Sequence, residues 1–207
     1  MPNIQKSATH ARFYTQIGTR GWLQSGYTTF GFQSPFFRRW IASQLPVERT
    51  EILSVGCGSG ELENHLTELR HPVIGLDLSY QMLKRASRKG RALPVQADAG
   101  SLPFGPAQFD LVMMMESIGH LQLNAVFKEA RRVLRRRGRL LITTYAPHVE
   151  THMRYRRWGM DEIADQLLDA GFAVDEQRYL DVKRNSVRDA PSEDRSTLLY
   201  LFSTATN

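Results

Sequence analysis

An α/β chain with a doubly wound, largely parallel sheet is the fold class this sequence predicts. Three observations predict it. From Glu51 onward, short apolar runs alternate with helix-period segments at the spacing of βαβ units. Several runs are apolar at consecutive positions, as in Leu111-Val112-Met113-Met114-Met115, which suits central strands buried on both faces. The first run, Ile52-Leu53-Ser54-Val55, enters a turn with glycines at 56, 58 and 60, and a helical pattern follows from Glu61 to Leu69.

The elements follow in order. Strands are expected near 51–55, 72–77, 93–97, 109–115, 138–144, 173–180 and 197–205. Helices are expected near 60–69, 79–89, 122–136 and 159–170. Asp161 opens the last helix, with Ile163, Leu167 and Leu168 on one face, and Gly171 stands where a helix C-cap belongs. No helix separates the last two strands, because residues 181–196 are polar and charged. A direct return is antiparallel, so the seventh strand is expected to run reversed beside the sixth.

The first fifty residues differ in character. Phe13, Tyr14, Trp22, Tyr27, Phe30, Phe32, Phe36, Phe37 and Trp40 are interleaved with glycines at 18, 21, 26 and 31. Residues 1–50 are therefore read as an aromatic cap or lid, and residues 51–207 as the main domain. The competing reading is that these aromatics simply pack on the sheet.

Composition narrows the class. With 27 basic and 21 acidic residues, the formal charge of +6 permits anionic partners without demanding them. The single cysteine, Cys57, cannot form an internal disulfide and fits a reducing cytoplasm. No secretory-leader pattern is visible, and no run approaches the ~18 apolar residues that span a bilayer. The expectation is a soluble cytoplasmic protein without a membrane partner.

The chemistry is concentrated after the strands. A glycine turn lets a ligand lie against bare backbone at a helix N-terminus. Val73-Ile74-Gly75-Leu76-Asp77 ends in an acid that can accept both hydroxyls of a ribose, and Val95-Gln96-Ala97-Asp98-Ala99 carries another. The turn reads G-x-G-x-G, whereas the usual dinucleotide fingerprint is G-x-G-x-x-G.

Glycine turn, acid and acid in this order resemble the class I S-adenosylmethionine-dependent methyltransferases. The resemblance covers residues 51 to about 180, and extends to 205 if the last strand is reversed. It implies a Rossmann-like, doubly wound seven-stranded sheet with a reversed last strand. It also implies S-adenosylmethionine as cofactor, with its amino-acid tail across Gly56, Cys57, Gly58 and Gly60. Asp77 would hold the ribose; Asp98 and the Ala99 amide would meet the adenine, flanked by Leu78 and Met82. Cys57 is read as a small filler. Met115 and Glu116, after the fourth strand, would border the methionine part. Ser54 departs from the pattern, since an acid is common there in the family; another acid such as Glu116 would compensate.

Candidates for a general base are His120, Glu116, Tyr14 and Tyr27. No metal is expected. Arg154, Arg156 and Arg157, with His148, His152, Tyr155 and Trp158, fall after strand five on the substrate side and suit an acidic group on the acceptor. The arginines of 135–139 occupy a turn at the opposite end of the sheet. The reading is a methyltransferase acting on a small-molecule acceptor by in-line transfer. The alternatives are a nucleic-acid methyltransferase and a non-catalytic S-adenosylmethionine-binding protein. A nicotinamide oxidoreductase would share the turn and Asp77, but the glycine spacing, Asp98 and the last two strands count against it. No Asn-Pro-Pro-Tyr-like motif or appended nucleic-acid domain is present, so nucleic acid is not the expected partner. Acceptor identity, attacked atom and oligomeric state stay open.

Overall fold

A computed structural model describes residues 34–89, 92–147, 156–181, 184–190 and 199–207. Tyr14, Tyr27 and the other aromatics before Gln33 lie outside the described residues, as do His148, His152, Arg154 and Tyr155.

The described elements are α1 (Pro35–Gln44), β1 (Ile52–Val55), α2 (Glu61–Glu68), β2 (Val73–Asp77), α3 (Tyr80–Lys89) and β3 (Leu93–Gln96). They continue with β4 (Phe109–Met115), a 3-10 turn at Ile118–His120, α4 (Leu123–Val133), β5 (Leu134–Tyr145) and α5 (Met160–Asp169). The chain closes with β6 (Ala173–Asp181), β7 (Ser186–Arg188) and β8 (Leu199–Thr206). The sheet runs β3-β2-β1-β4-β5-β8-β6-β7. Strands β1 to β5 pair in parallel, and β8 is antiparallel to both β5 and β6. This is the expected doubly wound sheet with its last strand reversed. Among the described residues, no helix is long and apolar enough to cross a membrane.

The central strands β1 and β4 are buried on both faces because they are apolar at nearly every consecutive position. Along β4 the side chains alternate between two cores: Val112 and Met114 on one side, Leu111 and Met113 on the other. On the first side α4 contributes Leu123, Val126, Phe127, Ala130 and Val133, and α5 contributes Ile163 and Leu167. On the second side Leu62 and Leu66 of α2 meet Phe37, Trp40 and Ile41 of α1. Two of the early aromatics thus pack on the sheet. Gly171 takes φ +86° directly after α5, and its amide donates to the Leu168 carbonyl at 2.9 Å, as a helix end at this glycine requires.

Two boundaries differ from the sequence-based expectation. The sheet has an eighth strand, the short β7, which pairs antiparallel with the end of β6 inside the stretch read as a polar connection. The hairpin closes on Asp181, wholly buried, which is ion-paired with Arg184 at 2.9 Å and Arg188 at 3.7 Å. The second difference is α4, which stops at Val133 rather than 136. The amides of Ala107 and Gln108 take the carbonyls of Arg132 and Val133, and Leu134, buried, pairs across to Phe109. Arginines are good helix formers, so composition alone extends the helix; the tertiary contacts end it. The arginines at 135, 136, 137 and 139, expected from the sequence to form a turn, instead belong to the amino end of β5, away from the edge where the candidate residues gather.

Candidate active site

Parallel strands deliver their carboxyl ends to one edge, and a ligand site belongs in the crevice beyond it. Here that edge carries Gly56 after β1, Asp77 ending β2, Asp98 after β3, Glu116 after β4 and Tyr145 ending β5.

The turn is built by backbone conformation. Gly56, Gly58 and Gly60 take φ +78°, +55° and +75°, in the left-handed region where a side chain costs energy. The Gly56 and Cys57 amides both donate to the Leu76 carbonyl, at 2.7 and 3.0 Å, and so fold the turn over β2. A Cβ on Gly56 would stand 2.5 Å from the Ser117 Cβ. The Ser117 hydroxyl donates to the Val55 carbonyl at 2.9 Å, which joins the β4 loop to the turn.

Asp77 Oδ2 accepts the Gly58 amide at 2.9 Å and Oδ1 accepts the Ser79 amide at 2.8 Å. Each carboxylate oxygen keeps a second lone pair for a hydroxyl. Burial pushes the Asp77 carboxyl above its ordinary range, and the amides of Ser79, Gly58 and Leu78 oppose that. Asp98 is exposed, and its Oδ1 accepts the Gly100 amide at 2.8 Å. Ala99 is buried beside it. Leu78 is 39% exposed at this edge, whereas Met82 is 1% exposed and sits in the packed interior. Burial drives the Cys57 thiol well above its ordinary value, and Glu63 and Asp77 add to the shift, so the thiol is held protonated.

On the β4 side Glu116 is a non-glycine residue at φ +55°, a conformation that costs roughly 1–3 kcal/mol and is found at functional sites. Its amide donates to the Thr143 carbonyl at 2.8 Å, and its Oε2 accepts the Tyr145 hydroxyl at 3.2 Å. His120 ends the 3-10 turn, half-buried.

Three features of the site were not foreseen. Tyr145 joins Glu116. The 156–158 segment is stitched onto the 118–120 turn: the Arg156 amide donates to the Gly119 carbonyl at 2.9 Å and the Trp158 indole to the Ile118 carbonyl at 3.3 Å. Arg156 also lies 3.5 Å above the Trp158 ring and pairs with Glu162 at 2.8 Å. The third is Glu63 of α2, whose Oε1 accepts the Ser54 hydroxyl at 2.6 Å. The available signal was a polar Ser54 within an apolar strand, which needs a buried partner.

The pieces present fit S-adenosylmethionine. A bare-backbone turn suits an amino-acid tail, Asp77 has acceptor capacity for a ribose, and Leu78 and Asp98 offer an apolar and an acidic contact for an adenine.

Comparison with known proteins agrees with that fit. Residues 53–142 match the family model described as "Methyltransferase domain". A malonyl-[acyl-carrier protein] O-methyltransferase of Legionella pneumophila is 36% identical over 110 residues, which is 50% of this chain and 39% of that protein. A demethylmenaquinone methyltransferase of Thermotoga maritima is 28% identical over 148 residues, 69% of this chain and 64% of that protein. The chain thus spans well under two thirds of the first of these relatives and just under two thirds of the second. The crystal structure of a TehB-like methyltransferase from Corynebacterium glutamicum superposes with TM-score 0.68 at 21% identity, over 97% of this chain and 99% of that one. That likeness shows the shared fold.

Proposed function

We propose that this chain, whose residues 53–142 belong to the class I S-adenosylmethionine-dependent methyltransferases, binds S-adenosylmethionine and transfers its methyl group to a small-molecule acceptor. The observation that carries the reading is Asp77 bonded to the glycine turn at Gly58, with Asp98 on the same sheet edge. When bound, the sulfonium supplies an already activated methyl. The chain's own task is to align the acceptor and exclude water.

A base is needed only for an acceptor that starts protonated. Glu116, with the Tyr145 hydroxyl on its Oε2, and His120 are the candidates among the described residues. Tyr14 and Tyr27 remain candidates from the N-terminal segment, for which the lid reading is retained as part of the proposal. The two relatives named above act, by their names, on malonyl-[acyl-carrier protein] and on demethylmenaquinone. An acceptor bearing an acidic group accords with the first of them and with Arg156 held over Trp158 beside the 118–120 turn.

Titration calorimetry with S-adenosylmethionine and NAD tests the cofactor, and S-adenosylmethionine is expected to bind. Binding of NAD alone would overturn the proposal. Turnover against malonyl thioesters, quinols and transfer RNA tests the acceptor; activity restricted to the RNA would replace the small-molecule reading.

A further inference from the structure

Behind the glycine turn lies a carboxyl that the site as described does not use. Glu63, in the first turn of α2, is 2% exposed. Its Oε1 accepts the Ser54 hydroxyl at 2.6 Å, while its Oε2 is sealed from solvent and has no hydrogen-bond partner among the described residues. The side chain is wedged under the turn itself. A Cβ added at Gly75 of β2 would stand 2.9 Å from Cys57 Sγ, so the bare glycine makes room for the thiol, and 3.7 Å from Glu63 Cγ, which places the Glu63 side chain in contact distance of β2 beneath the turn. A buried carboxyl with one oxygen unpaired is expensive to keep in either form, and it needs a reason.

Resting on the reading that the turn holds S-adenosylmethionine, the geometry points to Glu63 as a positioning carboxylate: a cation seated on the turn draws the proton off Glu63, and the Ser54 hydroxyl holds the resulting charge beneath it. The proton leaves to solvent, and no covalent bond in the ligand changes. The methionine part of the ligand, which the turn would receive, carries a sulfonium, an ammonium and a carboxylate, so its net charge is positive.

Burial holds the Glu63 carboxyl up at about 7, while the Ser54 hydrogen bond pulls it down and the nearby acids Glu61 and Asp77 raise it further. Both protonation states are therefore accessible near neutrality. Among the described residues, the groups that face it are Glu61 on its own helix, Asp77 at the end of β2 and the thiol of Cys57 on the turn; the last two are themselves shifted upward, and none of the three is a cation. His65, two residues on, is engaged with Glu68 at 3.7 Å. A cation at the turn is thus the missing counter-charge.

The test uses the full chain and two probes, S-adenosylmethionine and the uncharged 5′-methylthioadenosine, with affinity measured calorimetrically at pH 6 and pH 8. Buffers of different ionisation enthalpy report the protons released. The amine of the ligand also titrates near 8, so the informative quantity is the difference between the parent and Glu63→Gln. The variant is expected to bind S-adenosylmethionine as the parent does at pH 6 and about tenfold more weakly at pH 8, and to release fewer protons. Methylthioadenosine is expected to bind both proteins alike at both pH values. Parallel profiles with equal proton release would overturn the assignment and leave Glu63 a buried structural group. If Glu63→Gln shows no cooperative melt, Ser54→Ala replaces it. Loss of the hydroxyl should move the midpoint of the affinity profile to higher pH, and an unmoved midpoint overturns the assignment. A parent chain that binds no S-adenosylmethionine at either pH overturns the reading of the site itself, whereas a parent that binds it with a profile identical to the variant's overturns only the role of Glu63.

Discussion

Asp77 is tied to the glycine turn it faces: its Oδ2 accepts the Gly58 amide at 2.9 Å, and its Oδ1 accepts the amide of Ser79 at 2.8 Å, at the entrance to α3. One side chain thus fixes the shape of the turn and the start of the next helix, and it presents its remaining lone pairs at the sheet edge.

Replacement of Asp77 therefore has two consequences. Asp77→Ala is expected to raise the dissociation constant for S-adenosylmethionine by about tenfold or more, since charge-assisted hydrogen bonds contribute roughly 1.5–3 kcal/mol. It should also lower the melting temperature, because two backbone amides lose their acceptor. Asp77→Asn keeps one acceptor oxygen and should retain more stability than affinity. Calorimetry and thermal melts on the same samples separate the two effects. A folded Ala variant with unchanged affinity would reduce Asp77 to a cap.

The Glu63 carboxyl makes a stability prediction that needs no ligand. Its value in the folded chain, about 7, lies above its ordinary 4.5, so the folded state binds the proton more tightly than the unfolded chain does. The stabilisation is fully present below pH ~4.5 and is lost as pH rises through about 7. A shift of that size corresponds to about 3 kcal/mol. Gln at this position cannot ionise. The difference in unfolding free energy between Glu63→Gln and the parent should therefore move by about that amount in favour of the variant between pH 4.5 and pH 8. Denaturant unfolding at both pH values reads it. A constant difference would mean that Glu63 does not titrate in the folded chain.

The third prediction concerns the close approach of the turn to α3. Gly60 takes φ +75°, and a Cβ there would stand 2.8 Å from the Ala86 Cβ. Gly60→Ala is expected to destabilise the chain through both strain and overlap, the backbone part being roughly 1–2 kcal/mol. Adding Ala86→Gly removes the overlap but not the strain. The double variant should consequently be more stable than the two single losses predict when summed. Strict additivity in a double-mutant cycle would show that the neighbours relax and that only the backbone angle matters.

The legible part of this molecule is whatever is written in its periodicity. Consecutive apolar runs, the spaced glycines of the first turn and the absence of a helix before the last strand lead to a parallel sheet with β8 reversed, and the order of Gly56, Asp77 and Asp98 leads to the family that residues 53–142 match. What stayed hidden depends on tertiary partners. The strand Ser186–Arg188 is short and polar and exists because Asp181 gathers Arg184 and Arg188. The end of α4 is set by the amides of 107 and 108, from a distant loop. Glu63 looks like the solvent face of an amphipathic helix; only the pairing of Ser54 with Gly75 shows that this face lies against the sheet.

Such a distant contact also holds the loop that presents Asp98. Arg132 of α4 donates through Nη1 to the Phe104 carbonyl at 2.7 Å and through Nη2 to the Leu102 carbonyl at 3.1 Å. It also pairs with Glu129 at 2.7 Å, and Glu129 Oε2 accepts the Leu102 amide at 2.7 Å. The hydrogen bond from Arg132 holds the Glu129 carboxyl below its ordinary value. The pair is partly exposed, so its charge attraction alone is worth little. Its larger effect is geometric, because it ties residues 102–104 to a rigid helix four residues beyond Asp98. Arg132→Ala should thus weaken S-adenosylmethionine binding several-fold without touching the ligand, and should speed amide exchange in the 98–104 loop more than in β4. Arg132→Lys keeps the charge but loses the forked donors, and it should resemble Ala rather than the parent. Mass-detected hydrogen exchange with calorimetry on the three proteins decides the matter. A Lys variant that behaves as the parent would show that charge, not the clamp, is what counts, and an Ala variant with parental affinity would remove the loop from the site.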